Sequence, residues 1–205
     1  DDMGRRVSGD LLKDREENFI EFHKDISKKL VQYCRIVSDI IRYPKGQLVY
    51  SGGDDVLAFV NLNYLTEVLK QVRSEFPQFS DRGAETTASC GVCIAHYKIP
   101  LRQVLYWTRE AERAAKGMPQ KNALSLVVLR HAGEITQGTV QWGDNSTESV
   151  DVIENILSLL KDQYFSPSFL YNIQEEFRLT SNIPAKAVES EIERLVRRSL
   201  IMKDK

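Results

Sequence analysis

Ten residues constrain this chain most: Tyr50-Ser51-Gly52-Gly53-Asp54-Asp55-Val56-Leu57-Ala58-Phe59. Gln47 to Tyr50 and Val56 to Val60 are short β-prone runs, and the glycines between them suit a reversal that needs positive φ. The segment predicts a β-hairpin with two carboxylates at its bend. Successive strand residues point to opposite faces, so Asp54 and Asp55 need not both reach one ligand. A plain turn is the competing reading, because glycine and aspartate form turns in any setting.

The flanking periodicity says what this hairpin is built into. From Glu16 to Arg42, apolar residues recur at Phe19, Phe22, Ile26, Leu30, Cys34, Val37 and Ile41, the three-and-four spacing of one helix face. Pro44 ends that helix. Tyr64, Leu65, Val68, Leu69, Val72 and Phe76 mark a second helix, and Thr86 to His96 a strand. Pro100 opens a third helix at a favoured first-turn position, with Leu101, Val104, Leu105, Thr108, Ala111 and Ala115 on its inner face and Gly117 closing it. Leu124 to Leu129 and Thr136 to Trp142 read as strands. Gly143 to Thr147 reads as a linker. Three helical stripes follow, around Val152 to Leu160, Ser166 to Phe177 and Val188 to Val196. The expected organisation is an α+β domain over 1–145 and a small all-α domain over 146–205.

A carboxylate pair at a bend matters chemically because Mg²⁺ requires hard oxygen ligands and keeps room for water and phosphate oxygens. Two divalent ions can activate a 3′-hydroxyl and stabilise a leaving pyrophosphate. Glycine, having no Cβ, lets a ribose or phosphate approach the backbone closely. Such a palm needs another carboxylate from the end of a neighbouring first strand, and the chain opens with Asp1-Asp2-Met3-Gly4. That opening, with no initiator Met, reads as part of a motif in something larger. The order of acid pair, helix, hairpin, helix, strand, helix, strand is β-α-β-β-α-β with additions, a ferredoxin-like palm.

Four segments together carry a resemblance. Asp1-Asp2-Met3-Gly4, Ser51 through Asp55, His96-Tyr97-Lys98-Ile99-Pro100-Leu101 and Glu112-Arg113-Ala114-Ala115-Lys116 occur in the order and surroundings of the large subunit of type III CRISPR complexes, the Cas-ten family and especially its Cmr branch. The chain resembles that family from residue 1 to about 142, in its second palm, and the helical tail is similar to the domain after it. The resemblance implies cyclic oligoadenylate synthesis from ATP when the complex captures target RNA. It implies Mg²⁺ or Mn²⁺ held by Asp1, Asp54 and Asp55, nucleotide contact at Ser51, Gly52 and Gly53, and a triphosphate contact from Lys116, for which a mobile point charge is suited. It also implies a cytoplasmic protein whose partners are other subunits of the complex, a second palm, crRNA and target RNA.

The match has a departure. Asp1 falls on the second aspartate of the family's Asp-Gly-Asp and Asp2 on its variable position, so the first aspartate has no counterpart here. The His-Asp pair of the family's nuclease domain does not occur, and no DNase activity is expected. Two other functions compete. A diguanylate-type cyclase would want Glu at Asp55 and Phe at Val56, and a non-catalytic palm would serve assembly alone.

Other signals point elsewhere. A net charge of −1 does not mark a general nucleic-acid binder. No apolar run approaches the ~20 residues that span a bilayer. Three cysteines, Cys34, Cys90 and Cys93, do not make a disulfide framework. Cys90, Cys93 and His96 mimic a metal cluster, but strand residues three apart face opposite ways. They read as small buried residues, and His96 as a solvated or capping group. Without the motif, Lys116 is an exposed helix-end cation favoured by the macrodipole. Arg194, Arg197 and Arg198 read as a solvated helix face.

Overall fold

The hairpin forms where the sequence places it. In the computed structural model, which describes residues 16–79, 86–130, 133–143, 147–179 and 185–199, β1 (Gly46–Gly52) and β2 (Asp55–Val60) pair antiparallel. Gly52 lies opposite Asp55, leaving a two-residue loop of Gly53 and Asp54. Gly53 has φ of 68° and Asp54 has no positive φ, the pattern of a type II′ turn with glycine at its first central position. The register slips between Leu48 and Tyr50, so Val49 is a β-bulge.

Two helices cover one face of this hairpin. α1 (Glu16–Ile40) and α2 (Leu65–Ser74) bring Tyr33, Val37, Ile41, Val68 and Phe76 into a buried cluster, with Leu48, Val56, Ala58 and Val60 of the hairpin against it. The Tyr33 ring meets Phe76 edge-on at 5.4 Å, and its hydroxyl donates to the Val72 carbonyl at 3.3 Å. Of the stripe read from the sequence, Ile26, Val37 and Ile41 are buried and Leu30 and Cys34 half-buried, while the buried Tyr33 stood outside it; the side chains of Phe19 and Phe22 lie outside the described residues.

A second sheet has the order β3-β4-β5, from β3 (Ser89–Ala95), β4 (Ala123–Leu129) and β5 (Ile135–Gln141). β3 and β4 run parallel and are joined by α3 (Leu101–Lys116); β5 returns antiparallel. Cys90 and Val92 pack with Leu69, Leu124 and Trp142, whereas Cys93 and Ala95 pack with Ala111, Val127 and Leu129. The two cysteines thus occupy opposite faces, as strand alternation requires. Burial pushes the Cys90 thiol up to about 12, with the Glu112 charge adding to it.

Two expected boundaries shift. The strand starts at Ser89 rather than Thr86, because Thr86 is used elsewhere: its hydroxyl accepts from the Phe79 N–H and its own N–H donates to Gln78 Oε1, both at 2.9 Å. The Ala88 carbonyl accepts from the Trp142 indole at 3.0 Å. After the second sheet, α4 spans Glu148–Lys161, starting directly after the predicted Gly143–Thr147 linker and four residues ahead of the predicted stripe at Val152; its Val150 is buried with Trp142 and Leu124.

The chain divides into two compact units, one running to Val150 and the other starting at Asp151. The second comprises most of α4 together with α5 (Pro167–Leu179) and α6 (Ala185–Ser199). Within it, Phe165 stacks on the buried Phe169 at 4.5 Å, and Leu195 is also buried. The architecture is a mixed α/β palm followed by helices. Among the described residues, no helix is long and apolar enough to cross a membrane.

Candidate active site

The tip of the hairpin is held from behind and open in front. Cys34 on α1 donates a weak S–H bond to the Gly53 carbonyl at 3.6 Å, tying the turn to the helix. Val49 and Tyr50 are both more than half exposed, because the bulge breaks the alternation that would otherwise turn Tyr50 inward with Leu48. The Tyr50 ring then folds toward the turn. A Cβ on Gly52 would lie 2.4 Å from its hydroxyl.

Asp54 and Asp55 are exposed. Asp55 shares a side of β2 with the exposed Leu57 and Phe59, opposite the buried-side residues Val56, Ala58 and Val60. This is the outer side of the hairpin, and the last turn of α3 supplies the facing charge. Lys116 Nζ donates to Glu112 Oε1 at 2.5 Å. That bond is the largest cause raising Lys116 above its ordinary value; the charges of Glu112, Asp55 and Asp54 add in that order, and partial burial opposes them. The structure thus brings Lys116 into the electrostatic field of both hairpin acids, 61 or more positions earlier in the chain.

The position of α3 depends on Gly91. A Cβ there would sit 2.3 Å from the Glu112 amide nitrogen and 2.6 Å from the Thr108 carbonyl oxygen, so the helix backbone occupies the side chain's place. This close approach lays Glu112 and Lys116 over the start of β3. One large cleft, of about 1280 Å³, is bordered by Tyr50, Asp54, Asp55, Arg109, Glu112 and Lys116, among others. Sequence reasoning missed Arg109, although it precedes Lys116 by seven residues on the same helix face as Glu112. It also missed Lys121, which borders the same cleft.

Of the residues expected to serve the site, Asp54, Asp55 and Lys116 border one cleft, with Lys116 in the field of both acids, and Ser51, Gly52 and Gly53 form the strand end and turn beside them. Asp1 lies outside the described residues. Two exposed carboxylates offer the hard oxygens a divalent ion needs, with space for water and phosphate oxygens to complete its shell. Ser51 Oγ is buried with no hydrogen-bond partner, a further oxygen left unused beside the turn. Among the described residues, no three His, Cys, Asp or Glu side chains cluster as a self-sufficient metal site. His96 is exposed, and its Nδ1 accepts from the Lys98 amide at 3.3 Å, which is local capping of the loop.

Comparison with known proteins places the chain in a family. The family model for Cas10/Cmr2, second palm domain, matches residues 1–125. The chain belongs to that family. A curated relative, the CRISPR system Cmr subunit Cmr2 of Pyrococcus furiosus, is 30% identical over 165 residues, covering 69% of this chain. The matched stretch spans 19% of that relative's length. The Cas10/Cmr2 palm is that of a type III CRISPR large subunit, and the match takes in both hairpin strands, α3 and Lys116.

Proposed function

We propose that this palm is one half of a metal-dependent nucleotidyl-transfer site that makes cyclic oligoadenylates from ATP within a type III CRISPR large subunit. The observation that carries the reading is the exposure of Asp54 and Asp55 on a bend whose outer side Lys116 shares. Asp54 and Asp55 would hold Mg²⁺ or Mn²⁺, which when bound lowers the cost of charge on the attacking and leaving oxygens. Gly52 and Gly53 leave the backbone open to a ribose or phosphate. Lys116, kept cationic by Glu112, Asp55 and Asp54, would neutralise part of a triphosphate. Ser51 would supply a hydroxyl to the same nucleotide, and Asp1 another carboxylate to the ion.

The partners in this reading are a second palm, other subunits of the complex, crRNA and target RNA. The test is ATP binding with Mg²⁺ or Mn²⁺, followed by synthesis in the assembled complex. Asp54→Ala with Asp55→Ala is expected to lower synthesis by about 1000-fold or more, the scale of losing several kcal/mol of charge stabilisation, with thermal stability within a few degrees of the parent. Preference for GTP over ATP would favour a diguanylate-type reaction, and unchanged synthesis in the double variant would remove the hairpin from catalysis.

A further inference from the structure

The helix that carries Lys116 has a second face, turned away from the sheet. α3 packs the buried Ala111 and Ala115 inward, and Trp107 joins Ala111 against Val127 and Leu129. On the opposite side Arg102, Tyr106, Arg109 and Arg113 follow at steps of four, three and four residues. At 3.6 residues per turn they fall within an arc of about 60° and extend for about 16 Å along the axis. All four side chains are exposed.

This face is concave and strongly cationic. The four residues border a hollow of about 460 Å³ whose described walls all come from α3. Tyr106 is 55% exposed, and Trp107 braces its ring edge-on at 5.3 Å. Arg113 pairs with Glu110 Oε1, while Arg102 and Arg109 have no ion-pair partner among the described residues. Three arginines against one carboxylate leave a local charge of +2 on a chain whose net charge is −1. The cations are concentrated here and do not reflect a general excess.

A row of guanidinium groups with an aromatic ring among them suits an unpaired polynucleotide, whose phosphates take the cations while a base stacks on the ring. An acidic peptide would use the charges and leave Tyr106 idle, and a duplex would offer it no free base. Glu110 Oε2 makes no hydrogen bond among the described residues and is an acceptor beside the arginines. A ribose 2′-hydroxyl is the matching donor, and DNA lacks it. We infer that the outer face of α3 binds single-stranded RNA, with Arg102, Arg109 and Arg113 on its phosphates, Tyr106 under one base and Glu110 at a ribose. The inference rests on α3 and not on nucleotide transfer at the hairpin.

The test is fluorescence anisotropy of a labelled, mixed-sequence single-stranded RNA of about ten nucleotides. It is titrated with the chain between about 50 and 200 mM salt. Arg102→Gln with Arg109→Gln and Arg113→Gln is expected to weaken binding at least about 10-fold and to lower the slope of log affinity against log salt by about 2, the value for three contacts to a single strand. Tyr106→Ala is expected to weaken it about 5-fold or more with that slope unchanged, a split that a purely electrostatic surface does not give. Both variants change exposed residues and should melt with the parent, which circular dichroism checks. No binding by the parent, or binding unaltered in both variants, would overturn the inference. Equal affinity for DNA of the same sequence, for duplex RNA or for polyglutamate would overturn it as well. So would loss of RNA binding in Asp54→Ala with Asp55→Ala, by assigning the RNA to the hairpin.

Discussion

The β1–β2 hairpin and the β3–β4–β5 sheet are made of similar residues and differ in what covers them. In β4, Ala123, Leu124, Ser125, Val127 and Leu129 are all buried. Among the described residues of β1 and β2, none is buried, and Leu57 and Phe59 remain exposed at 36% and 51%. β4 has a strand on either side and helices on both faces, so each side chain is fixed by packing. The hairpin has one neighbour strand and one covered face. The acid-bearing tip is thereby separated from the part of the palm that holds it together: acids can face outward where little apolar burial is lost.

Paired truncations test this contrast most strongly. Leu124→Ala is expected to cost about 3 kcal/mol, the range for a fully buried leucine, while Leu57→Ala on the outer hairpin face should stay within about 0.5 kcal/mol. Urea denaturation of the two variants measures both, and equal losses would erase the distinction.

Alkaline titration comes next in size. Burial first, then the Glu112 charge, raises the Cys90 thiol to about 12 from an ordinary 9.0. Burial likewise raises Tyr33, and the Glu112 bond raises Lys116. All three hold their protons in the folded state at pH values where the unfolded chain releases them. Their stabilisation is full below pH 9 and is lost as pH climbs through the folded values. Between pH 9 and 11 the loss from Cys90 should be about 2 kcal/mol, followed by thermal unfolding, and Cys90→Ala should flatten the profile. Because Cys90 belongs to the three-stranded sheet, a profile unaffected by that substitution would weaken the assignment of stability to it.

Gly53→Ala probes the tip itself. At φ of 68° an L-residue is strained although nothing crowds its Cβ, so a loss of about 1 kcal/mol is expected from backbone conformation alone. The smallest effect on folding belongs to Lys116→Gln. Its ion pair with Glu112 is half exposed, worth a few tenths of a kcal/mol in stability. ATP binding in the same variant should fall several-fold, and a variant that lost stability but kept ATP affinity would return Lys116 to the scaffold.

How far the site could be read in advance varied with how local each feature is. The turn was legible because glycine's freedom at positive φ and the flanking β-prone residues act within six positions. The α1 and α2 faces were legible because a period of 3.6 marks the side to be buried. The bulge at Val49 was not, since nothing in Leu48-Val49-Tyr50 distinguishes a slipped register from a regular one. Thr86 to Ala88 look as β-prone as the residues after them, but bonds with Phe79, Gln78 and Trp142 claim them first. Arg109 was legible only in hindsight, as a position two turns before Lys116 on the same helix face.

The sequence alone determined the hairpin, its two acids and the succession of helices and strands, because propensity, periodicity and turn chemistry operate between near neighbours. Only the tertiary structure decided that Lys116 comes into the field of Asp54 and Asp55 and that five strands form two sheets bordering one cleft. Those outcomes depend on backbone approach at Gly91 and on which strand edges find partners, contacts between segments far apart in the chain that no local pattern encodes.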